Sequence, residues 1–165
     1  MAWTDEDEAW MRRALELARR GEAGDGTNPI GCVIVRDGAV IGEGCNEVDV
    51  HHDPTAHAEI VAMRRAGAHL ACDELRGAVL YTTLQPCGMC TMASIWAKIG
   101  RIVFGAGRDD VHKMYFEDRH LDTVDFIRDS FRDDLALEGG LMARECAALY
   151  VGPDEDVPKE EQFNV

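Results

Sequence analysis

The chain predicts an α/β fold: a three-layer α-β-α sandwich with a central sheet of about five strands and helices on both faces. Three observations carry this. Segments with apolar residues at helical spacing alternate along the chain with short runs that suit buried strands. Asp37-Gly38 separates two of those runs, a strong signal for a two-residue hairpin. Hydrophobic residues are 46% of the chain and charged residues 29%, which is the composition of a folded domain and not of a disordered one. At 165 residues the chain suits a single domain with a real core, 1–165, ending in a polar tail over about 153–165. It has no internal repeat and no linker.

The elements follow in order. Thr4 is placed to cap a first helix, with Asp5, Glu6 and Asp7 in its first turn and Arg19-Arg20-Gly21 at its end. A loop with Asn28 and Pro29 leads to strands over 30–35 and 39–44 around the Asp37-Gly38 turn. Thr55 is a candidate cap for a helix from 56 to about 66, stopped by Gly67. A strand over 78–83 precedes Pro86, which suits the first position of a helix running from about 87 to 97. A strand over 101–104 and a Gly-Ala-Gly turn come next. An irregular helical stretch over 112–133, a short strand at 135–137 and a helix over 141–150 complete the pattern.

Charge limits the function. Lys and Arg number 17 against 31 Asp and Glu, a net charge of −14, which disfavours phosphate-rich partners and anionic membranes. The surplus is uneven: residues 26–116 carry 10 acids and 8 bases, whereas residues 117–165 carry 14 acids and 5 bases. The acidic start, Asp5 to Glu8, is the reverse of an export signal, so the expected compartment is a reducing cytoplasm. No stretch is apolar and long enough to span a bilayer. Six cysteines in that compartment are read as core residues or metal ligands before disulfides.

Two segments carry chemistry. His57-Ala58-Glu59 opens one predicted helix, and Pro86-Cys87-Gly88-Met89-Cys90 opens another. Cys87 and Cys90 share a helical face near a helix N-terminus, where thiol pKa falls and thiolates suit Zn²⁺. A cysteine pair by itself also fits a redox dithiol, or half of a structural zinc site. A structural site needs a fourth protein donor. Cys32, Cys45, Cys72 and Cys146 lack metal spacing, and His51, His52, His69, His112 and His120 read as surface or satisfied histidines. Three donors, His57, Cys87 and Cys90, leave an open position for water, as catalysis requires. Glu59 is the candidate proton carrier. Positions two apart lie about 200° apart on a helix, so His57 and Glu59 share a site only in a first turn, which Thr55 as cap would provide.

The two motifs resemble the H-x-E…P-C-x-x-C signature of zinc-dependent cytidine-deaminase-like enzymes. The similarity runs from about residue 28 to 107, and Asp53-Pro54-Thr55-Ala56-His57-Ala58-Glu59-Ile60 with Thr83-Leu84-Gln85-Pro86-Cys87 resembles the nucleobase and tRNA-adenosine branch. The resemblance implies a cytidine-deaminase-like fold and one Zn²⁺ per subunit held by His57, Cys87 and Cys90. It implies water as nucleophile, with Glu59 carrying its proton to a ring nitrogen and later helping to protonate departing ammonia. Backbone N–H groups at Ala58 and Cys87 are implied as substrate contacts. Asn46 matches the family's substrate-binding asparagine, although a strand-ending turn residue would also be asparagine. The resemblance further implies a homodimer, with the apolar helix around 89–96 at its interface.

Three features bear on which amine is removed. The acidic 117–165 segment disfavours tRNA. Trp96 resembles a tryptophan of some guanine deaminases and is a candidate to stack on a purine, or else a core aromatic. Asp110 is the best match to an acidic second proton shuttle of guanine deaminases, or else a helix cap. Phe163 is the one aromatic of the tail, and in related nucleobase deaminases the C-terminus folds over the site as a lid. The expected activity is guanine deamination, closest to bacterial guanine deaminase. The alternatives are a cytosine, aminopyrimidine or triazine substrate, adenosine in tRNA, and a non-enzymatic structural-zinc interaction domain.

Overall fold

The computed structural model describes residues 2–25, 28–116, 119 and 121–163. Helix α1 (Asp5–Asp25) precedes the hairpin of β1 (Gly31–Arg36) and β2 (Ala39–Cys45). A short helix α2 (Val48–His51) and the longer α3 (Ala58–Leu70) lead to β3 (Val79–Leu84), α4 (Gly88–Trp96) and β4 (Arg101–Ala106). Then come α5 (Thr123–Arg128), β5 (Ala136–Gly139) and α6 (Ala143–Ala147). The five strands form one sheet in the order β2-β1-β3-β4-β5, antiparallel where β1 meets β2 and β3, and parallel from β3 through β5.

The pleat distributes the layers. Cross-strand partners share a face, and Val33 opposes Tyr81 while Cys32 opposes Thr82. Gly31, Val33, Tyr81, Val103 and Gly105 therefore look towards α1 and α6, and Cys32, Ile34, Gly42 and Thr82 towards α3. Two glycines set the spacing. A Cβ on Gly31 would lie 2.0 Å from the Ala14 carbonyl oxygen of α1, and one on Gly42 would lie 2.3 Å from the Ala62 carbonyl oxygen of α3. Both helices thus rest directly on strand backbone. The core between the layers is aliphatic, with Met11, Ile34, Leu80, Ile99 and Ile102 fully buried.

The predicted layers and five strands are present, with shifted boundaries. Helix α1 runs past Gly21, and α3 runs through Gly67 to Leu70. Thr55 does not cap α3. Its hydroxyl and amide both donate to the Asp53 carboxylate, at 2.7 and 2.8 Å, and His57 takes the N-cap position instead. The described part of the 112–133 region resolves into one short 3₁₀ turn (Lys113–Tyr115) and α5; residues 117, 118 and 120 lie outside the described set. Among the described residues no helix is long and apolar enough to cross a membrane.

Thr4 does cap α1: it accepts from the Asp7 N–H at 3.0 Å, and its own N–H donates to Asp7 at 3.1 Å. Asp7 is buried and joins three strands to this helix. Tyr81 Oη donates to it at 2.9 Å and Arg101 Nη1 at 2.6 Å, while Arg101 Nε reaches Glu138 of β5 at 2.6 Å. Burial by itself would raise the Asp7 pKa, but the Arg101, Thr4 and Tyr81 hydrogen bonds outweigh it and hold the carboxyl well below its ordinary range. That stabilisation is complete above the unfolded value near about 4 and is lost as pH falls through the lower folded value. Asp7→Asn is expected to cost about 3 kcal/mol in urea titrations at pH 7. The gap to the parent chain should close progressively below about pH 4.

Candidate metal centre and active site

The site forms where two helices begin. His57 is the N-cap of α3, with extended backbone at φ −64°, ψ 154°, and Cys87 is the N-cap of α4, at φ −70°, ψ 172°. A residue in that conformation is not on the helical lattice, so the 200° objection does not apply to His57. His57 projects from the loop side, Glu59 from the second helical position, and both reach one point. Cys90 arrives from the third position of α4. Cys87 leaves the end of β3 after Gln85 and Pro86, at the carboxyl edge where open α/β sheets place their ligands.

His57 Nδ1 lies 3.7 Å from the Sγ of Cys87 and 3.7 Å from that of Cys90, and the three donor atoms fall within 4.8 Å of one another. Tetrahedral zinc with ordinary Zn–N and Zn–S bonds spaces N and S about 3.6 Å apart, so the donors are at ligating separation. Among the described residues this is the one group of three or more His, Cys, Asp or Glu with donors so placed. His120 lies outside the described residues. Three protein donors are what an open catalytic site presents, and a structural site would show four. All six cysteines are free thiols, and Cys32 and Cys146 are buried among apolar side chains.

The electrostatics divide the two thiols. The Cys90 thiol donates to Cys87, which lowers the Cys87 pKa to about 4, aided by His57 and opposed by burial. Cys90 is pushed up by the same shared proton and by burial. Glu59 is 3% exposed, and burial raises its carboxyl, with the neighbouring Cys87 charge adding to the shift. Its Oε1 accepts from Thr82 Oγ1 at 3.0 Å, and Cys90 Sγ lies 3.5 Å from Oε2. Thr82 was invisible as a site residue in the sequence. The signal lies in the strand alternation, which sends Tyr81 to Asp7 on one face and Thr82 to Glu59 on the other.

Beside His57 opens a cavity of about 310 Å³, lined by Asn28, Asn46, Val48, Asp49, Pro54 and Phe163. Asn46 is buried, and its Oδ1 accepts from the Val48 N–H at 3.1 Å, which fixes the amide at the wall. Ala58 is buried at the first position of α3, where a backbone N–H has no acceptor within the helix. Phe163 reaches the cavity from the tail, its ring 5.9 Å from that of Tyr115, which in turn meets Tyr150 edge-on at 5.2 Å. A larger cavity of about 650 Å³ lies elsewhere, between α4 and α5, and is lined by Met92, Trp96, Leu121, Phe126 and Phe131 among others. Size does not locate the chemistry; the donor atoms do.

Two candidates are not brought to this site. Trp96 is 74% exposed and lines the larger groove. It follows Cys90 by six residues, about 240° round the helix and about 9 Å along it, so it faces away from the ligands. It is neither a core aromatic nor a stacking partner within its own chain. Asp110 is exposed, and its carboxylate accepts from the Gly107 N–H at 2.8 Å, closing a 3₁₀ turn. Here it closes a cap, and it does not line the cavity beside His57.

The profile for the cytidine and deoxycytidylate deaminase zinc-binding region matches residues 4–106, well over half the chain. The chain belongs to this deaminase family. The tRNA-specific adenosine deaminase of Buchnera aphidicola is 37% identical over 146 residues, covering 88% of this chain and 92% of the relative. The guanine deaminase of Bacillus subtilis is 43% identical over 112 residues, covering 67% and 71%. A solved structure from work on A-to-I editing by tRNA:A34 deaminases superposes with a TM-score of 0.71 at 35% identity, over 86% of this chain and 98% of that one. The guanine deaminase of Nitrosomonas europaea gives 0.76 at 30% identity, over 86% and 81%. The fold is therefore that of the cytidine-deaminase-like enzymes, and the resemblance seen in the two motifs is to the right branch.

Removing a donor should remove the metal. Cys87→Ala is expected to purify with little zinc by metal analysis, whereas Glu59→Gln, which leaves the three donors intact, keeps the parent's zinc content.

Proposed function

We propose that the chain hydrolyses the exocyclic amine of a free nucleobase, guanine first, giving xanthine and ammonia. The observation that carries this is Phe163. Its ring lines the same cavity as His57 and Asn46, so a polynucleotide would have to displace the tail to enter. The charge agrees, since 14 acids against 5 bases over 117–165 offer little to a phosphate backbone. The Bacillus subtilis relative supports guanine. A second reading, adenosine in tRNA, is favoured by the greater coverage of the tRNA-specific relatives.

In this reading His57, Cys87 and Cys90 hold one Zn²⁺ per subunit. Zinc, when bound, supplies a Lewis acid that brings water towards neutral pKa. Glu59 takes one proton of the attacking water and delivers it to the adjacent ring nitrogen; it then takes the second proton, from the hydroxyl now on the ring carbon, and gives it to the amine as the C–N bond breaks and the C=O forms. Its raised pKa suits a group that must both accept and return a proton. Thr82 holds the carboxylate in place. The Asn46 amide and the N–H groups at Ala58 and Cys87 orient the base, and Phe163 covers it. No role is assigned to Asp110 beyond its cap. The six free thiols suit a reducing cytoplasm.

The test is ammonia release from a panel of guanine, cytosine, adenine, ammeline, their nucleosides, and a tRNA anticodon stem-loop. Guanine should be the preferred substrate, and Glu59→Gln should lose about 10³-fold or more in kcat. Deleting residues 160–165 should raise KM for guanine about tenfold, the worth of one aromatic contact. An unchanged KM would remove the lid, and activity on the stem-loop with none on bases would replace this reading with the second.

The reading also makes two copies the working form. Trp96 at 74% exposure and Phe131 at 106% flank the apolar groove, and such a face is suited to a self-complementary contact. Trp96→Glu is expected to shift a dimer to monomer by sedimentation; a parent chain that is already monomeric would contradict it.

A further inference from the structure

We propose that Thr123 is a positioning residue for the Cys87 ligand, acting through the carbonyl of Pro86. Thr123 is the first residue of α5 and is 3% exposed. Its hydroxyl donates to the Pro86 carbonyl oxygen at 2.7 Å and accepts from Gln85 Nε2 at 3.3 Å. Gln85 is itself buried. Its amide nitrogen also donates to the Asp122 carboxylate, and its Oε1 accepts from the Arg108 N–H at 3.1 Å. On the far side of Cys87, the Phe126 ring sits on Gly88, so closely that a Cβ there would lie 2.7 Å from Cζ. Residues 122–126 therefore grip the backbone on both sides of the ligand.

The two sulfur donors differ in how they are held. Cys90 lies on the helix proper, and its backbone follows α4. Cys87 precedes the helix, so its Cβ direction depends on the peptide plane joining it to Pro86. That plane is rigid, and its oxygen is the Pro86 carbonyl. Fixing this oxygen fixes the plane, and with it the aim of the Cys87 sulfur at His57 Nδ1. Pro86 is buried, so without the hydroxyl its carbonyl has no water to turn to. Partners of this kind, one step behind the donors, set ligand orientation and commonly change metal affinity by about 10–100-fold when removed.

The test compares Thr123→Val and Thr123→Ser. Val keeps the shape and removes the donor, whereas Ser keeps the donor. Zinc affinity is measured by chelator competition, and the Co²⁺-substituted chain reports the thiolate-to-metal charge-transfer band. Thr123→Val should weaken zinc about tenfold or more and shift that band, and Thr123→Ser should match the parent in both. If the Val variant fails to fold, Thr123→Ala is used in its place. Asp7→Asn, which loosens the opposite face of the sheet, controls for general destabilisation and should leave zinc affinity unchanged. Parent-like affinity and band in Thr123→Val, or an equal loss in Asp7→Asn, would overturn the proposal. The inference rests on the His57, Cys87, Cys90 ligand set, which the Cys87→Ala metal analysis tests separately.

Discussion

Two helices must begin at one point, and most of the structure serves that convergence. His57 and Cys87 are both N-caps with extended backbone, so each projects its donor from the mouth of a helix and not from its flank. Helix starts also carry unpaired N–H groups and the positive end of the dipole, which favour anionic sulfur and a polar substrate edge. The meeting point is set by what each helix lies upon. Gly42 lets α3 press against β2, and the parallel step from β3 to β4 carries α4 across the same face. Displacing either helix by one residue would separate donors now at 3.7 Å.

The opposite face of the sheet carries a separate buried charge network. Asp7 ties α1 to β3 and to Arg101 on β4, and Arg101 continues to Glu138 on β5. Tyr81, which reaches Asp7, is followed by Thr82, which reaches Glu59. One strand thus links a buried charge network on one side to the proposed proton carrier on the other. The same division explains why a carboxylate can sit buried at the site. Glu59 is held by the Thr82 hydroxyl, with Cys90 Sγ 3.5 Å from its other oxygen, and burial leaves it readier to carry a proton.

Beyond the donors, the chain splits its aromatic side chains between two tasks. Phe163, Tyr115 and Tyr150 form a run that ends in the cavity, with Tyr150 anchored to Thr83 at 2.8 Å. Trp96 and Phe131 instead border the apolar groove between α4 and α5. Helix α5 touches both regions, since Phe126 lines that groove and also packs on Gly88 beside Cys87.

The sequence by itself determined the alternation of strands and helices, the hairpin at Asp37-Gly38, the Thr4 cap and the donor set. These depend on local spacing and on residue chemistry that few alternatives satisfy. The family resemblance also singled out Asn46, which lines the cavity beside His57. What the sequence left open were matters of direction. Thr55 reads as a cap until Asp53 is seen to take its hydroxyl. Trp96 reads as a purine platform until the turn of α4 carries it away from Cys90. Asp110 reads equally as a shuttle or a cap, and in the fold its carboxylate accepts from the Gly107 N–H. Thr82 and Thr123 have no motif at all, since their roles arise from partners 23 and 37 residues away. Only the tertiary structure decided these, because one hydroxyl or one ring serves whichever group the fold brings within about 3–4 Å, and local sequence does not encode that distance.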